Sequence, residues 1–156
     1  CSMPPSKSSM FREKDLQQRE VLSEERTLLT LQKALAPSTE ARVLTKAAAP
    51  FEICHVNGAW TNLCGFSLAE TTGRTLSIIQ GEDTVSSELD SLVESLIAGR
   101  GAETVLTNYT AQGRPFRNHL KVHPVRDAGS GELTHFLGIL KEIDASVENR
   151  MAAGVH

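Results

Sequence analysis

The sequence predicts an α+β domain, an antiparallel sheet with its helices segregated to one face, preceded by an amphipathic helix. Three observations carry this. From Pro50 to Asp144, alternating strand patterns flank a stretch of helical spacing, in the order strand, short helices, longer helix, three strands. Turn signals at Gln112-Gly113 and Gly129-Ser130-Gly131 divide the last three strands into a meander. Before Pro37 the chain is instead rich in Leu, Glu, Gln, Arg and Lys, a helix-forming composition.

Residues 1–9, with Pro4, Pro5 and several serines, are expected to be disordered. Because the chain opens on Cys1, it is read as cut from something longer. Residues 10–49 are expected to form a helical extension. Within it one amphipathic helix should run from Met10 to Ala36, with Val21, Leu22, Leu28, Leu29, Leu31 and Leu35 on one broad stripe. Val21, Leu28 and Leu35 are seven apart, a coiled-coil spacing that Glu24 interrupts. Pro37 stops this helix, and Ser38 or Thr39 is expected to cap a short second helix through Lys46.

Residues 50–144 are the expected folded domain. Phe51 to Val56 reads as a strand that turns at Asn57-Gly58. Trp60, Leu63 and Cys64 share one face of a short helix ended by Gly65. Val85, Leu89, Leu92, Val93, Leu96 and Ile97 give the longer helix, with Asp83 or Thr84 as cap and Gly99 as stop. Thr104–Thr110, Pro115–Arg126 and Glu132–Ile143 are the three closing strands. Residues 145–156 are a C-terminal tail.

Composition narrows the function. Of 156 residues, 40% are hydrophobic and 22% charged, which supports a packed core. A net charge of −3 argues against nucleic acid as a partner of this segment. No apolar run reaches the ~20 residues of a membrane helix, so no membrane partner is expected, and the cytoplasm is the expected compartment. Cys54 and Cys64 sit in apolar contexts and read as buried reduced thiols. The five histidines are scattered; His119 and His123 lie four apart on a strand, about 13 Å from one another, so no metal site is expected. No nucleophile elbow, zinc-protease motif or phosphate loop occurs, and the chain reads as a non-enzyme.

Polar residues on otherwise apolar strands stand out. Asn108 and Asn118 each carry a donor and an acceptor that are costly to bury unpaired. Facing inward, they need each other, water or the polar edge of a ligand. Facing outward, they need nothing.

The stretch from Phe51 to Asp144 resembles a PAS domain, and within that class a LOV domain, the flavin-binding blue-light sensor. Four segments carry the likeness. They are Asn57 to Ser67, Gly73 to Gly81 (Gly-Arg-Thr-Leu-Ser-Ile-Ile-Gln-Gly against the LOV signature Gly-Arg-Asn-Cys-Arg-Phe-Leu-Gln-Gly), Asn108 to Asn118, and Phe136 to Leu140. The resemblance implies the PAS fold, with a five-stranded antiparallel sheet. It implies a pocket lined by Asn108, Asn118, Gln80, Leu76 and Leu140. Leu76 falls where the family has its photoactive cysteine, Leu140 where it has its signalling glutamine, and Thr75 where it has the signature asparagine. Ser77 and Val93 fall where two arginines hold the flavin phosphate. Losing two charge-assisted contacts at about 1.5–3 kcal/mol each lowers affinity by about two orders of magnitude or more.

Two readings follow. In the first, the chain is a sensory and protein-interaction module without cysteinyl-flavin photochemistry. Leu76, Ile78, Ile79, Leu92, Leu96, Leu120, Val122 and Leu140 then fill its pocket. In the second it holds FMN or riboflavin weakly through Asn108, Asn118 and Gln80, as a photosensor or redox sensor without the adduct cysteine. The expected partners are a second copy, paired through the N-terminal helix and the sheet, and an effector protein.

Overall fold

The computed structural model of the chain describes residues 28–152. The expected disorder of 1–9, the helix from Met10 to Thr27 with Val21 and Leu22, and the last four residues lie outside the described residues.

The described chain begins with a short helix, α1 (Leu31–Ala34), followed by strands β1 (Ala41–Lys46) and β2 (Ile53–Val56). Two short helices come next, α2 (Gly58–Cys64) and α3 (Leu68–Thr71), then a 3₁₀ turn (Leu76–Ile79) and the longer helix α4 (Ser86–Ile97). Strands β3 (Ala102–Tyr109), β4 (Pro115–Arg126) and β5 (Leu133–Ile143) form the meander, and α5 (Ala145–Ala152) closes the chain. All pairings are antiparallel, and the five strands lie in the order β2-β1-β5-β4-β3. The expected five-stranded α+β architecture is thus the one observed.

Alternation divides each strand between two faces. On β4, Phe116, Asn118, Leu120 and Val122 point toward the helices, and Phe136 and Leu140 of β5 join them. Trp60 and Cys64 of α2, Ile79 of the turn and Leu96 of α4 complete this core, all buried. Val43 of β1 and Leu120 of β4 crowd Gly138 of β5 between them. A β-carbon there would lie 2.9 Å from Val43 Cγ1, so only glycine fits without displacement.

Several expectations need correction. Ala41 to Lys46 is not a helix but a strand in the body of the sheet, flanked by β2 and β5. The seam ending at Ala36 is broken as well. Thr30 has extended backbone (φ −99°, ψ 163°) and caps α1 by accepting a hydrogen bond from Lys33 N. Leu28 and Leu29 are therefore not helical, and Leu29 O instead accepts from Arg126 N at 2.9 Å. Asn57 is a helix cap rather than a turn, accepting from Trp60 N and from Arg42 N. Neither Asp83 nor Thr84 caps α4. Its N-cap is Val85, with no side-chain bond. The tail begins as a helix, whose first turn Asp144 satisfies by accepting from Val147 N.

The segment from Leu29 to Ala36 lies on the sheet face opposite the helices. Ala34 is buried there against Leu44, Val125 and Leu137, with Leu29, Cys54 and Ile139 packed around them. Arg42 fixes it by donating to the carbonyls of Lys33 and Ala34 at the end of α1. The opposite side of α1 leaves Leu31 39% and Leu35 45% exposed.

Candidate functional site

The 3₁₀ turn, α4 and the three meander strands surround a small, partly open cavity. The turn and the residue after it contribute Leu76, Ile79 and Gln80; α4 contributes Leu89 and Leu92. Leu106 and Asn108 come from β3, Asn118 and Leu120 from β4, and Leu140 from β5. All five residues expected at the pocket, Asn108, Asn118, Gln80, Leu76 and Leu140, are brought together. Their spacing makes this work. Asn108 and Asn118 share the inward register of neighbouring strands, with Leu120 and Leu140 directly opposed across the next pair.

Asn108 and Asn118 are 2% and 0% exposed, so their amides need partners within the protein. Asn118 Nδ2 donates to Asn108 Oδ1 at 2.9 Å, and Asn108 Nδ2 donates to Ile79 O at 3.1 Å. Asn118 Oδ1 accepts from Lys141 N at 3.2 Å. The chain of amides ties β5, β4 and β3 to the turn that roofs the cavity.

A second set of contacts fixes the roof from outside. Thr84 Oγ1 donates to Thr107 O at 2.6 Å and accepts from Gly81 N, which explains why its hydroxyl does not cap α4. Tyr109 Oη accepts from Asp83 N at 3.0 Å and donates to Asp83 Oδ2. Its ring lies against Gly81, where a β-carbon would fall 2.4 Å from Cε2. The sequence reading missed Tyr109, Thr84 and the Ile79 carbonyl, since these contacts join residues more than twenty positions apart and leave no local pattern.

Aliphatic side chains take most of the remaining space. Leu76, Ile79, Leu92, Leu120 and Leu140 line the cavity, while Ile78, Leu96 and Val122 belong to the surrounding core. The free volume is about 20 Å³, enough for a single water. Pockets for small molecules run to about 300 Å³ or more. As packed, the cavity leaves no room for a flavin, and two of its three polar side chains are committed to one another and to backbone.

Neither cysteine among the described residues lines the cavity. Cys64 is buried on α2, and burial pushes its thiol up to about 12. Cys54 packs on the opposite sheet face, with its thiol also raised by burial. Burial thus disfavours the thiolate at both positions. Ser77 and Val93 are exposed and bring no cation to the turn or to α4. His119 is paired with Glu103 at 2.6 Å, and no group of metal-ligating side chains occurs among the described residues. No helix among them is long and apolar enough to cross a membrane.

Comparison with known proteins agrees with the fold. Over 121 residues the chain is 29% identical to phototropin-1A of Oryza sativa subsp. japonica, covering 77% of this chain and 13% of that protein. It is 31% identical over 96 residues to the blue-light-activated histidine kinase of Brucella anthropi, covering 62% of this chain and 19% of that one. The chain thus spans less than a fifth of either relative. A solved light-oxygen-voltage domain, studied with a flavin analogue, superposes with a TM-score of 0.71 at 25% identity, covering 80% of this chain and 92% of that one. The family model for the PAS domain matches residues 43–145, more than half of the sequence. With its five-stranded sheet, its roofed inner face and its light-oxygen-voltage relatives, the chain belongs to the PAS domain family.

Proposed function

We propose that this PAS domain is a non-enzymatic sensory and protein-interaction module that signals without cysteinyl-flavin photochemistry, its pocket closed by its own side chains. The observation that carries the reading is the bond from Asn118 to Asn108 and on to Ile79 O, inside a cavity of about 20 Å³. Amides that would read a ligand's polar edge serve instead as an internal strut. Leu76 supplies no nucleophile on the turn, and Cys54 and Cys64 lie off the cavity.

Signalling then depends on surfaces. Leu31 and Leu35 lie four apart on the outward side of α1, which favours pairing with a second copy. The docked segment from Leu29 to Ala36 makes that dimer contact continuous with the sheet.

An absorption spectrum of the purified protein tests the central point. No flavin band is expected, and adding FMN or riboflavin should produce no shifted or quenched spectrum. A yellow protein that bleaches reversibly under blue light would overturn the reading.

A further inference from the structure

The sheet face away from the core helices is not uniform. One part is apolar and already covered by Leu29 and Ala34. Another part, beyond Arg117 and its α5 partner Glu148, is cationic and open among the described residues. On β4, alternation puts His119, Lys121 and His123 on this face, and Lys141 of β5 lies directly opposite His119. Together with Glu40 and Ile139 they line an open groove of about 780 Å³.

The balance of charge in the groove is uneven. Its carboxylate, Glu40, is held by Arg42 at 2.9 Å, and Glu103 at the margin is held by His119 at 2.6 Å. Lys121 and Lys141 are exposed and have no ion-pair partner among the described residues. Ile139, half-buried between them, gives the floor an aliphatic contact. The groove thus offers two ammonium groups outside any ion pair among the described residues, beside an apolar patch; Lys121 faces Glu103 across the β3–β4 ladder and helps hold that carboxyl low.

We infer that this groove docks an acidic, amphipathic segment of a partner protein, carboxylates meeting Lys121 and Lys141 and an aliphatic side chain seating on Ile139. The inference names the partner chemistry of the interaction module proposed above and rests on that reading. Charge complementarity selects the occupant. The chain's own residues 1–27 carry five basic and five acidic side chains, so they offer no net negative charge to the groove.

The test is fluorescence anisotropy with a labelled amphipathic peptide built from Glu, Leu and Ala. Its comparison peptide carries Gln in place of every Glu. The acidic peptide should bind the wild-type chain, more weakly as salt is raised. Lys121→Glu/Lys141→Glu should weaken binding about tenfold or more, Lys121→Gln/Lys141→Gln should do so less, and Arg100→Glu, an exposed cation elsewhere, should change nothing. Equal binding of the Gln peptide, or equal loss with Arg100→Glu, would overturn the inference. So would preferential binding of phosphatidylserine vesicles, or a homodimer that the lysine variants dissolve. If the peptide fails to bind while the dimer mediated by α1 persists, only the partner chemistry falls. If the wild-type chain binds no peptide and is monomeric, the interaction-module reading falls with it.

Discussion

Asn118 and Asn108 are joined across the β3–β4 ladder by a 2.9 Å hydrogen bond between their side chains, both buried. Because Asn118 also accepts from Lys141 N and Asn108 donates to Ile79 O, one amide pair connects three strands with the roof of the cavity.

Breaking that pair from one side should cost more than replacing both members. Asn118→Ala leaves Asn108 Oδ1 and Lys141 N without these partners, and the buried Asn108 orphan alone costs about 1–3 kcal/mol. Asn108→Leu/Asn118→Leu removes both amides and should be less destabilising than the sum of the two single Leu variants. Urea unfolding of the four proteins in a double-mutant cycle measures the coupling. Strict additivity would mean the two amides act independently.

Leu140→Ala should enlarge the cavity at a cost of about 2–5 kcal/mol, as expected for a side chain only 4% exposed. Combining Leu76→Cys and Ser77→Arg with Leu140→Ala returns a thiol, a cation and space to the site. That triple variant should gain measurable FMN affinity over wild type in a fluorescence-quenching titration. Leu76→Cys alone should gain none, because the thiol has nothing beside it to attack.

Substitutions on the two sides of the segment from Leu29 to Leu35 should have opposite consequences. Leu31→Glu/Leu35→Glu alters the outward side and should yield a folded monomer by light scattering. Leu29→Glu forces a charge into the cluster of Ala34, Leu44, Val125 and Leu137, and should instead lower the melting temperature. A wild-type mass equal to that of one chain at every concentration would reject the dimer.

The C-terminal helix should undock in acid. Arg117 Nε and a terminal nitrogen donate to the two carboxylate oxygens of Glu148, joining β4 to α5. This hydrogen-bonded guanidinium holds the Glu148 carboxyl below its usual 4.5. A depressed folded value means that the contribution is fully present above 4.5 and lost as pH falls through the folded value. Hydrogen exchange of the α5 amides should therefore rise in that window. In Arg117→Gln it should already be fast at neutral pH and change little on acidification.

The order of elements from Ile53 to Ile143 was legible in the sequence because each depends on local chemistry. Gly65 and Gly99 end helices in left-handed conformations, with φ of 85° and 72°. Residues 115–123 alternate because one face of β4 meets the core and the other mostly meets water, a pattern that ends where Val125 is buried on the opposite face. The five residues that line the cavity were indicated by the resemblance, whereas alternation alone left Asn108 and Asn118 free to face inward or outward. What local pattern could not give was β1. Val43 and Leu44 are both buried, at 1% and 4%, because the core covers one face and α1 the other, so the alternation that marks a half-exposed strand is missing. Nor could it give the break at Thr30, where a backbone bond from Arg126, nearly a hundred residues on, holds Leu29 extended against the helical preference of its neighbours. Whether two inward asparagines await a ligand or satisfy one another was likewise left to the tertiary structure. The answer depends on the distance between strands and on how much room the leucines leave, and neither quantity is encoded by any one segment.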